Sequence, residues 1–174
     1  MKRVFLALAV LALAACNNDE GVMEEIRQGE SEDATALEDQ INALSREVTE
    51  APQTLPSGLE LQFVRRGNDQ TLPQPTMNAQ VLVHYAGSFV DGGEEFDSSF
   101  ARGEPAEFPL QGVVRGFSEA ITQMRPGDEV IATFPGSLGY GASGRGQIPP
   151  NAALRFRIVL LAFQEPGGQP VQAQ

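Results

Sequence analysis

The hydrophobic and polar residues of this chain follow two different rhythms, and the change between them falls near residue 57. Upstream, apolar residues recur at spacings of three and four, which is typical of one face of a helix. The members of this stripe are Ala34, Leu37, Ile41, Leu44 and Val48. It covers about two heptads, and short isolated helices are marginal in water. Two interpretations stay open: a transient amphipathic helix in a linker, or a helix that forms a weak homodimer through residues 34–48.

Downstream of residue 57 the period is two, which predicts strands with one buried face. Leu59, Leu61 and Phe63 form the first run, and further apolar or alternating runs cover residues 81–85, 130–134 and 154–163. One helix is predicted by residues that share a side, namely Phe117, Ala120, Ile121 and Met124. Several strands and one short helix predict an α+β domain, with an antiparallel sheet wrapped around the helix.

The first sixteen residues have the pattern of an export signal. Lys2 and Arg3 precede an apolar run that is too short to span a bilayer, and small residues lead to Cys16. The sequence around Cys16 resembles the bacterial lipobox, in which the cysteine is lipidated; a secreted protein with a stray thiol is the alternative. By analogy with Gram-negative sorting, Asn17 favours the outer membrane. We therefore expect a lipid-anchored protein of the bacterial cell envelope, with its domain in the periplasm.

These patterns divide the chain into four parts. The predicted organisation is a lipoprotein signal peptide at 1–15, an acidic linker at 16–56, a folded domain at 57–163 and a disordered tail at 164–174. Eleven of the 23 acidic residues lie in residues 17–56, where the only basic residues are Arg27 and Arg46. Such a segment is expected to be a solvated tether between the anchor and the domain.

Charge and residue types exclude several classes of function. The net charge of −11 and the single lysine, Lys2, argue against nucleic acid as a partner. His84 is the only histidine and lies in an alternating run, so a structural or solvent-facing role is favoured over a catalytic base. No cluster of cysteine and histidine is available for zinc, and the sequence predicts neither a metal nor a cofactor. The GxGxxG match at residues 139–144 is followed by prolines and does not open a helix.

What remains is an aromatic ring beside a carboxylate. Phe96 and Asp97 lie in a domain with almost no other equipment for acid–base or nucleophilic chemistry, together with Tyr140 and the Ile148-Pro149-Pro150 run. A site built from rings, one acid and backbone groups suits a reaction that breaks no covalent bond.

Six motifs in order resemble the FKBP-type peptidyl-prolyl cis-trans isomerases. They are Val83-His84-Tyr85-Ala86-Gly87, Asp91-Gly92, Phe96-Asp97-Ser98-Ser99, Val113-Val114-Arg115-Gly116-Phe117, Gly139-Tyr140-Gly141 and Ile148-Pro149-Pro150-Asn151. The run Pro56-Ser57-Gly58-Leu59 looks like the start of the domain in the macrophage infectivity potentiator branch. The resemblance covers about residues 57–163.

The resemblance implies a five-stranded antiparallel half-barrel with a shallow aromatic pocket between the sheet and its helix. It implies catalytic roles for Phe96, Asp97 and Tyr140. It implies substrate contacts for Tyr85, Arg102, Phe108, Val113, Val114, Phe117, Ile148 and Phe156. In the family, the backbone N–H at Val114 and the hydroxyl at Tyr140 bind ligand carbonyls, and the ring at Phe117 forms the floor. We expect Asp97 to be a buried organiser that orients Tyr85 and Arg102.

The resemblance also implies an activity and partners. The expected function is isomerisation of X–Pro bonds in exported proteins, without a cofactor, and macrolide inhibitors are expected ligands. A non-catalytic proline-binding holdase and an adhesive surface lipoprotein are the alternatives. Three departures concern the pocket: Phe117 replaces the usual Trp, Ala106 replaces a common aromatic residue, and the loop around residues 145–147 looks about one residue short. They leave peptide preference and inhibitor affinity open.

Overall fold

The computed structural model describes residues 36, 38–39, 41–42, 45–48 and 50–174. The strands of this part are β1 (Ser45–Glu47), β2 (Gln53–Thr54), β3 (Glu60–Gly67), β4 (Gln80–Phe89), β5 (Glu95–Ser98), β6 (Ala106–Pro109), β7 (Glu129–Phe134), β8 (Leu154–Gln164) and β9 (Val171–Gln172). The helices downstream of residue 50 are α1 (Ser99–Arg102) and α2 (Arg115–Ile121), with 3₁₀ turns at Leu110–Gly112, Gly136–Leu138 and Gly141–Ser143. The predicted signal peptide and Cys16 lie outside the described residues.

The strands form one antiparallel sheet whose main order is β3-β7-β8-β4. The fifth position, beside β4, is shared by β5 and β6, because α1 and a turn interrupt the chain between them. The short strands β1 and β2 pair with the outer edge of β3. The predicted α+β class, with its antiparallel sheet and single core helix, is confirmed.

The inner face of the sheet carries the main hydrophobic core. Alternating residues of the two central strands, such as Val83 and Tyr85 in β4 and Ile158 in β8, point into it. Helix α2 packs on this face with Phe117, Ala120 and Ile121, and Met124 follows in the next turn. Helix and sheet approach closely at Gly116, where a Cβ would lie 2.4 Å from the Phe134 ring. The four apolar residues predicted to share one side of the helix are therefore all in the core.

Strand β8 buries residues on both of its faces, and it contains a β-bulge near its end. Leu82 pairs with Ala162 and Val83 pairs with Leu160, so Leu161 is the extra residue. Val159 and Leu161 lie in a second apolar cluster on the outer face by alternation with Ile158 and Leu160, and the bulge adds Ala162 to the same face. We call this group, which consists of Ile41, Leu82, Val159, Leu161 and Ala162 with Phe100 packed against it, the outer cluster.

His84 is buried on the same outer face and has a structural position. Its Nδ1 lies 3.1 Å from Ser99 Oγ, and its ring stacks on Phe100 with centroids 5.2 Å apart. The Ser99 hydroxyl also accepts a hydrogen bond from the Tyr85 N–H at 2.7 Å. The histidine therefore helps to fix α1 on β4, as the structural interpretation predicts.

The described part of the tether packs on its own domain. Ile41 is only 1% exposed and covers the outer cluster, and Glu38 forms an ion pair of 3.1 Å with Arg157 of β8. The residues described between 36 and 42 are helical, whereas β1 is extended and precedes Val48. The predicted helical stripe therefore does not continue to Val48, while Ala34, Leu37 and Leu44 lie outside the described residues. No helix of the described part is long and apolar enough to cross a membrane.

The prediction of a disordered tail is wrong for the residues that follow a turn at Gly167. Val171 pairs with Phe163 and Gln172 with Ala162, which forms β9 along the end of β8. The Ala173 N–H adds a hydrogen bond of 3.0 Å to the Leu161 carbonyl. The end of β8 extends beyond β7, and its free backbone groups are satisfied by the tail.

Candidate functional site

An open cavity of about 560 Å³ lies between the inner face of the sheet and the start of α2. Its walls come from four strands or their ends, from the segment before α2, from α2 itself and from the loop after β7. The lining residues are Tyr85, Phe96, Asp97, Phe108, Gly112, Val113, Val114, Phe117, Tyr140, Arg145 and Phe156. Aromatic rings thus dominate a cavity whose size suits a ring of a ligand or a proline with its neighbours.

The rings meet at right angles around Phe117. The Phe117 centroid lies 5.9 Å from that of Tyr85, 6.1 Å from that of Phe108 and 5.3 Å from that of Phe156, each pair being edge to face. This is a favourable geometry for aromatic pairs. Phe117 is 3% exposed, so it forms the floor of the cavity, although its ring is smaller than the indole usual at this position.

Phe96 forms a side wall because β4 has a glycine opposite it. A Cβ at Gly87 would lie 2.7 Å from both the Phe96 and the Phe156 rings, so any side chain there would displace them. Without it, the two rings meet edge to face at 5.6 Å. The glycine of the Val83-His84-Tyr85-Ala86-Gly87 motif therefore shapes the aromatic wall.

Three polar side chains form a closed network on the opposite wall. The Tyr85 hydroxyl donates to Asp97 Oδ2 at 2.5 Å, Arg102 Nη1 donates to Asp97 Oδ1 at 2.5 Å, and Arg102 Nη2 donates to the Tyr85 oxygen at 3.0 Å. Short α1 presents Arg102 for this purpose: Ser98 Oγ caps its start, and the chain leaves it at Gly103. Asp97 thus orients Tyr85 and Arg102, as expected from the sequence.

The expectation that Asp97 is buried is wrong, since its side chain is 46% exposed. Asp97 lies on the short strand β5 at the cavity mouth. Partial burial raises the pKa of its carboxyl, but hydrogen bonds from Tyr85 and Arg102 outweigh this and bring the pKa below its ordinary value. Burial raises the pKa of the Tyr85 hydroxyl. Asp97 is therefore an anion and Tyr85 a neutral donor at neutral pH.

Two hydrogen-bond donors at the cavity mouth, the Val114 N–H and the Tyr140 hydroxyl, have no acceptor within the described part of the chain. Val114 is the N-cap of α2, and its backbone N–H donates to no described residue. The Tyr140 hydroxyl makes no hydrogen bond within the described part of the chain, although its ring packs against the core. A donor on each side of an apolar cavity can hold the carbonyl groups of a bound peptide.

The structure brings most of the predicted site residues together. All of them except Arg102 and Ile148 line the cavity. Arg102 reaches the site through Asp97, and Ile148 is 8% exposed in the core, paired with Arg145. The sequence analysis missed Gly112 and Arg145. Gly112 gave no signal, while Arg145 belongs to the loop already recognised as unusually short.

No group of three potential metal ligands occurs among the described residues. The segment after β7 forms only short 3₁₀ turns at Gly136–Leu138 and Gly141–Ser143, so the GxGxxG match does not open a helix. This geometry does not fit a dinucleotide. The site is thus an aromatic cavity with one oriented carboxylate.

An antiparallel sheet around one helix, with an aromatic cavity between them, defines an α+β half-barrel. The family model for FKBP-type peptidyl-prolyl cis-trans isomerases matches residues 72–161, more than half of the chain. The chain therefore belongs to this family.

Relatives and solved structures agree with this assignment. The chain is 40% identical over 114 residues to the peptidyl-prolyl cis-trans isomerase Mip of Coxiella burnetii, covering 65% of this chain and 48% of that protein. It is 44% identical over 106 residues to an FKBP-type 22 kDa isomerase of Escherichia coli, covering 60% of this chain and 50% of the relative. The chain thus spans about half the length of the curated relatives it matches.

Two crystal structures have a similar fold. FkpA from Escherichia coli superposes with a TM-score of 0.62 at 29% identity, covering 84% of this chain and 64% of that one. A peptidyl-prolyl cis-trans isomerase from Pseudomonas syringae superposes with a TM-score of 0.60 at 28% identity, covering 76% of this chain and 93% of that one.

Proposed function

We propose that this protein catalyses cis–trans isomerisation of X–Pro peptide bonds and thereby assists the folding of other proteins. The aromatic cavity with its Tyr85–Asp97–Arg102 network carries this proposal, together with the names of the relatives. Prolyl isomerisation takes about 10–100 s without a catalyst and limits many refolding reactions, so such an activity accelerates folding.

The cavity can lower the barrier without transferring a proton. The barrier of about 20 kcal/mol arises because the amide loses its resonance when the C–N bond twists. The planar amide has more charge separation than the twisted one, so a dry wall of rings such as Phe96 and Phe156 destabilises the planar state relative to the twisted one. Proline fits against the Phe117 floor.

Fixed polar groups then hold the peptide on either side of the rotating bond. The Val114 N–H and the Tyr140 hydroxyl are free to bind carbonyl oxygens. Asp97 acts by fixing Tyr85 and Arg102, because each of its two oxygens accepts a hydrogen bond of 2.5 Å from one of these side chains. Groups that need no reorganisation during the rotation favour the twisted state over the planar one.

The decisive experiment compares the isomerisation rates of wild type, Phe96→Ala and Asp97→Asn on short X–Pro peptides. We expect each variant to lose about tenfold in kcat/KM, which corresponds to about 1.4 kcal/mol of transition-state stabilisation. Phe89→Ala is the matched control, because the Phe89 ring contacts Phe96 at 5.1 Å but does not line the cavity. Its loss should be clearly smaller.

Circular dichroism and thermal melts must show that each variant is folded. A wild-type rate equal to the uncatalysed rate, with the peptide still bound, would reject isomerisation and favour a proline-binding holdase. Wild-type rates in folded Phe96→Ala and Asp97→Asn would instead place the active site elsewhere. Macrolide inhibitors are proposed to bind the same cavity, and competition with the peptide substrate tests this.

We further propose that Cys16 is lipidated and anchors the protein in the bacterial cell envelope, in the outer membrane with the domain in the periplasm. The sequence around Cys16 supports this, and the acidic tether would separate the domain from the lipid surface. Labelling cells with a palmitate analogue should mark wild type but not Cys16→Ser.

A weak homodimer through residues 34–48 stays a prediction, which sedimentation of residues 17–174 tests; a monomer at high concentration would reject it.

A further inference from the structure

Arg145 carries a charge on the cavity wall that no described carboxylate compensates. The only other charged residue of the wall is Asp97, and Asp97 is already paired with Arg102 at 2.5 Å. Within the described part of the chain no Asp or Glu oxygen lies within 4.0 Å of the Arg145 guanidinium. Its guanidinium carbon lies 5.9 Å from the centroid of the Tyr140 ring, at the cavity mouth. Since Asp97 is already paired with Arg102, the charge of Arg145 is left without a described partner at the cavity, although the chain as a whole has a charge of −11.

The loop that carries Arg145 is fixed at both ends. The Arg145 N–H donates to the Ile148 carbonyl and the Ile148 N–H donates back, both at 2.9 Å. Gln147 Nε2 donates to the carbonyl oxygen of Phe96 at 2.7 Å, which joins the loop to β5. Because the backbone is already ordered, a ligand that uses Arg145 need only order its side chain.

Apart from Arg102, the arginines that form ion pairs with described carboxylates serve the fold. Arg157 contacts Glu38 and Glu129, Arg65 contacts Glu129, and Arg66 contacts Glu50. Each of these charges is neutralised within the domain or by the described tether. Arg145 differs from these arginines because it lines the cavity and because its charge is available to a ligand.

We propose that Arg145 selects X–Pro segments that carry a carboxylate side chain immediately before or after the proline. This proposal rests on the proposed function, because it places proline in the aromatic cavity. A Glu or Asp beside the proline lies at the cavity mouth, within reach of the long arginine side chain. Two opposite charges several ångströms apart in a partly solvated site attract by an amount that corresponds to about a threefold to tenfold preference over a neutral side chain.

The test uses two pairs of short peptides that differ by one charge. One pair has Glu or Gln before proline, and the other has Glu or Gln after it, with all other positions neutral. Exchange spectroscopy by NMR gives the catalysed isomerisation rate and chemical-shift titration gives the affinity, so no coupled protease is needed. In at least one register, wild type should prefer Glu over Gln about threefold to tenfold at low salt. The preference should shrink towards unity at about 1 M salt.

Variants of Arg145 assign the preference to this residue. Arg145→Gln should reduce the Glu/Gln ratio to about one, Arg145→Lys should retain most of it, and Arg145→Glu should invert it. Arg155→Gln is the matched control. It removes the same charge from an exposed arginine in β8, one residue from Phe156 and therefore on the opposite face of the strand. The control should retain the wild-type ratio.

The two measurements separate this proposal from the isomerase function. Catalysis of all four peptides with equal Glu and Gln rates and affinities in both registers would overturn the charge preference alone. Charge-dependent binding that responds to Arg145 but occurs without catalysis would support the preference and reject the isomerase. An unchanged ratio in Arg145→Gln, or a loss of the ratio in Arg155→Gln, would also overturn it, because the preference would then come from the general field of the protein.

Discussion

The two faces of the sheet are both apolar, but they are closed in different ways. The inner face is covered by α2 and still leaves a cavity of about 560 Å³ among aromatic rings. The outer cluster is covered by Ile41 of the tether and packs around aliphatic residues of β4 and β8. Aromatic rings that meet edge to face leave space at the mouth, whereas small branched side chains fill the outer layer. Both faces are apolar, yet it is the face that is covered by aromatic rings that keeps this cavity. The kind of side chains that cover a face therefore decides whether a cavity remains.

The ion pairs of the two faces also differ, in how deeply they are buried. On the outer side, Glu129 is almost buried and lies between Arg65 at 3.1 Å and Arg157 at 2.6 Å. Taking one partner away from such a carboxylate is costly, so these pairs are structural. At the inner cavity the Asp97–Arg102 pair is about half exposed. A pair of this kind contributes little stability, and its geometry is better explained by the orientation of Tyr85.

The sharpest way to test the comparison is to truncate one side chain on each face. Phe134→Ala should lower the free energy of unfolding by about 3–5 kcal/mol, because this inner ring is buried and stacks on Phe156 at 5.7 Å. Ile41→Ala should lower it by about 2 kcal/mol, at the bottom of the usual range, since the tether can detach without unfolding the sheet. Urea denaturation measures both changes.

Hydrogen exchange distinguishes local detachment from global loss. In Ile41→Ala, protection should fall first at Leu82 and Leu161, whose outer side chains Ile41 covers, while Val83 on the inner face keeps its protection. An effect of Ile41→Ala as large as that of Phe134→Ala would contradict the comparison. It would mean that the tether is part of the cooperative core.

The inner face could be predicted from the sequence because its physics is local. Alternation places Val81, Val83 and Tyr85 on one side of a strand, and a stop at Pro126 bounds the helix region. The resemblance then assigns the rings to a pocket, and the structure brings them together. Phe96 and Tyr140 are far apart in the chain, so no periodicity could have joined them without the family pattern.

The outer face could not be predicted because it depends on register and on distant segments. A bulge at Leu161 changes the side on which residues point, and no local pattern marks it. Ile41 is one position of the predicted helical stripe, and the structure packs it on the sheet, a contact that the stripe alone does not indicate. Arg145 was missed because only its three-dimensional neighbours show that it lines the cavity and that no described carboxylate lies within 4.0 Å of it. The exposure of the Asp97 side chain could not be predicted from the sequence for the same reason.

Lowering the pH should have a smaller effect on the free energy of unfolding, through Asp97 at the inner cavity. Because the folded pKa of Asp97 is below its ordinary value, its carboxylate stabilises the fold above about pH 3.9, the unfolded pKa. This contribution is lost as the pH falls through the folded pKa. Solvent screening at the half-exposed Asp97–Arg102 pair limits it to less than about 1 kcal/mol. Carbon-13 NMR titration of the Asp97 carboxyl should show the pKa rising towards its ordinary value in Arg102→Gln, and an unchanged pKa would reject the proposed orientation network.

The smallest effect should come from the ion pair that joins the tether to the outer face. Glu38→Gln should cost about 0.5 kcal/mol or less, because its side chain is 45% exposed and Arg157 keeps Glu129 as a partner at 2.6 Å. Asp39→Asn is the matched control, since it removes the same charge from the neighbouring exposed residue, which makes no ion pair with the described part of the chain. The difference between the two variants in urea denaturation should disappear at about 1 M salt. A cost several times larger would mean that the charge pair and not Ile41 holds the tether, and the outer face would then be closed by electrostatics.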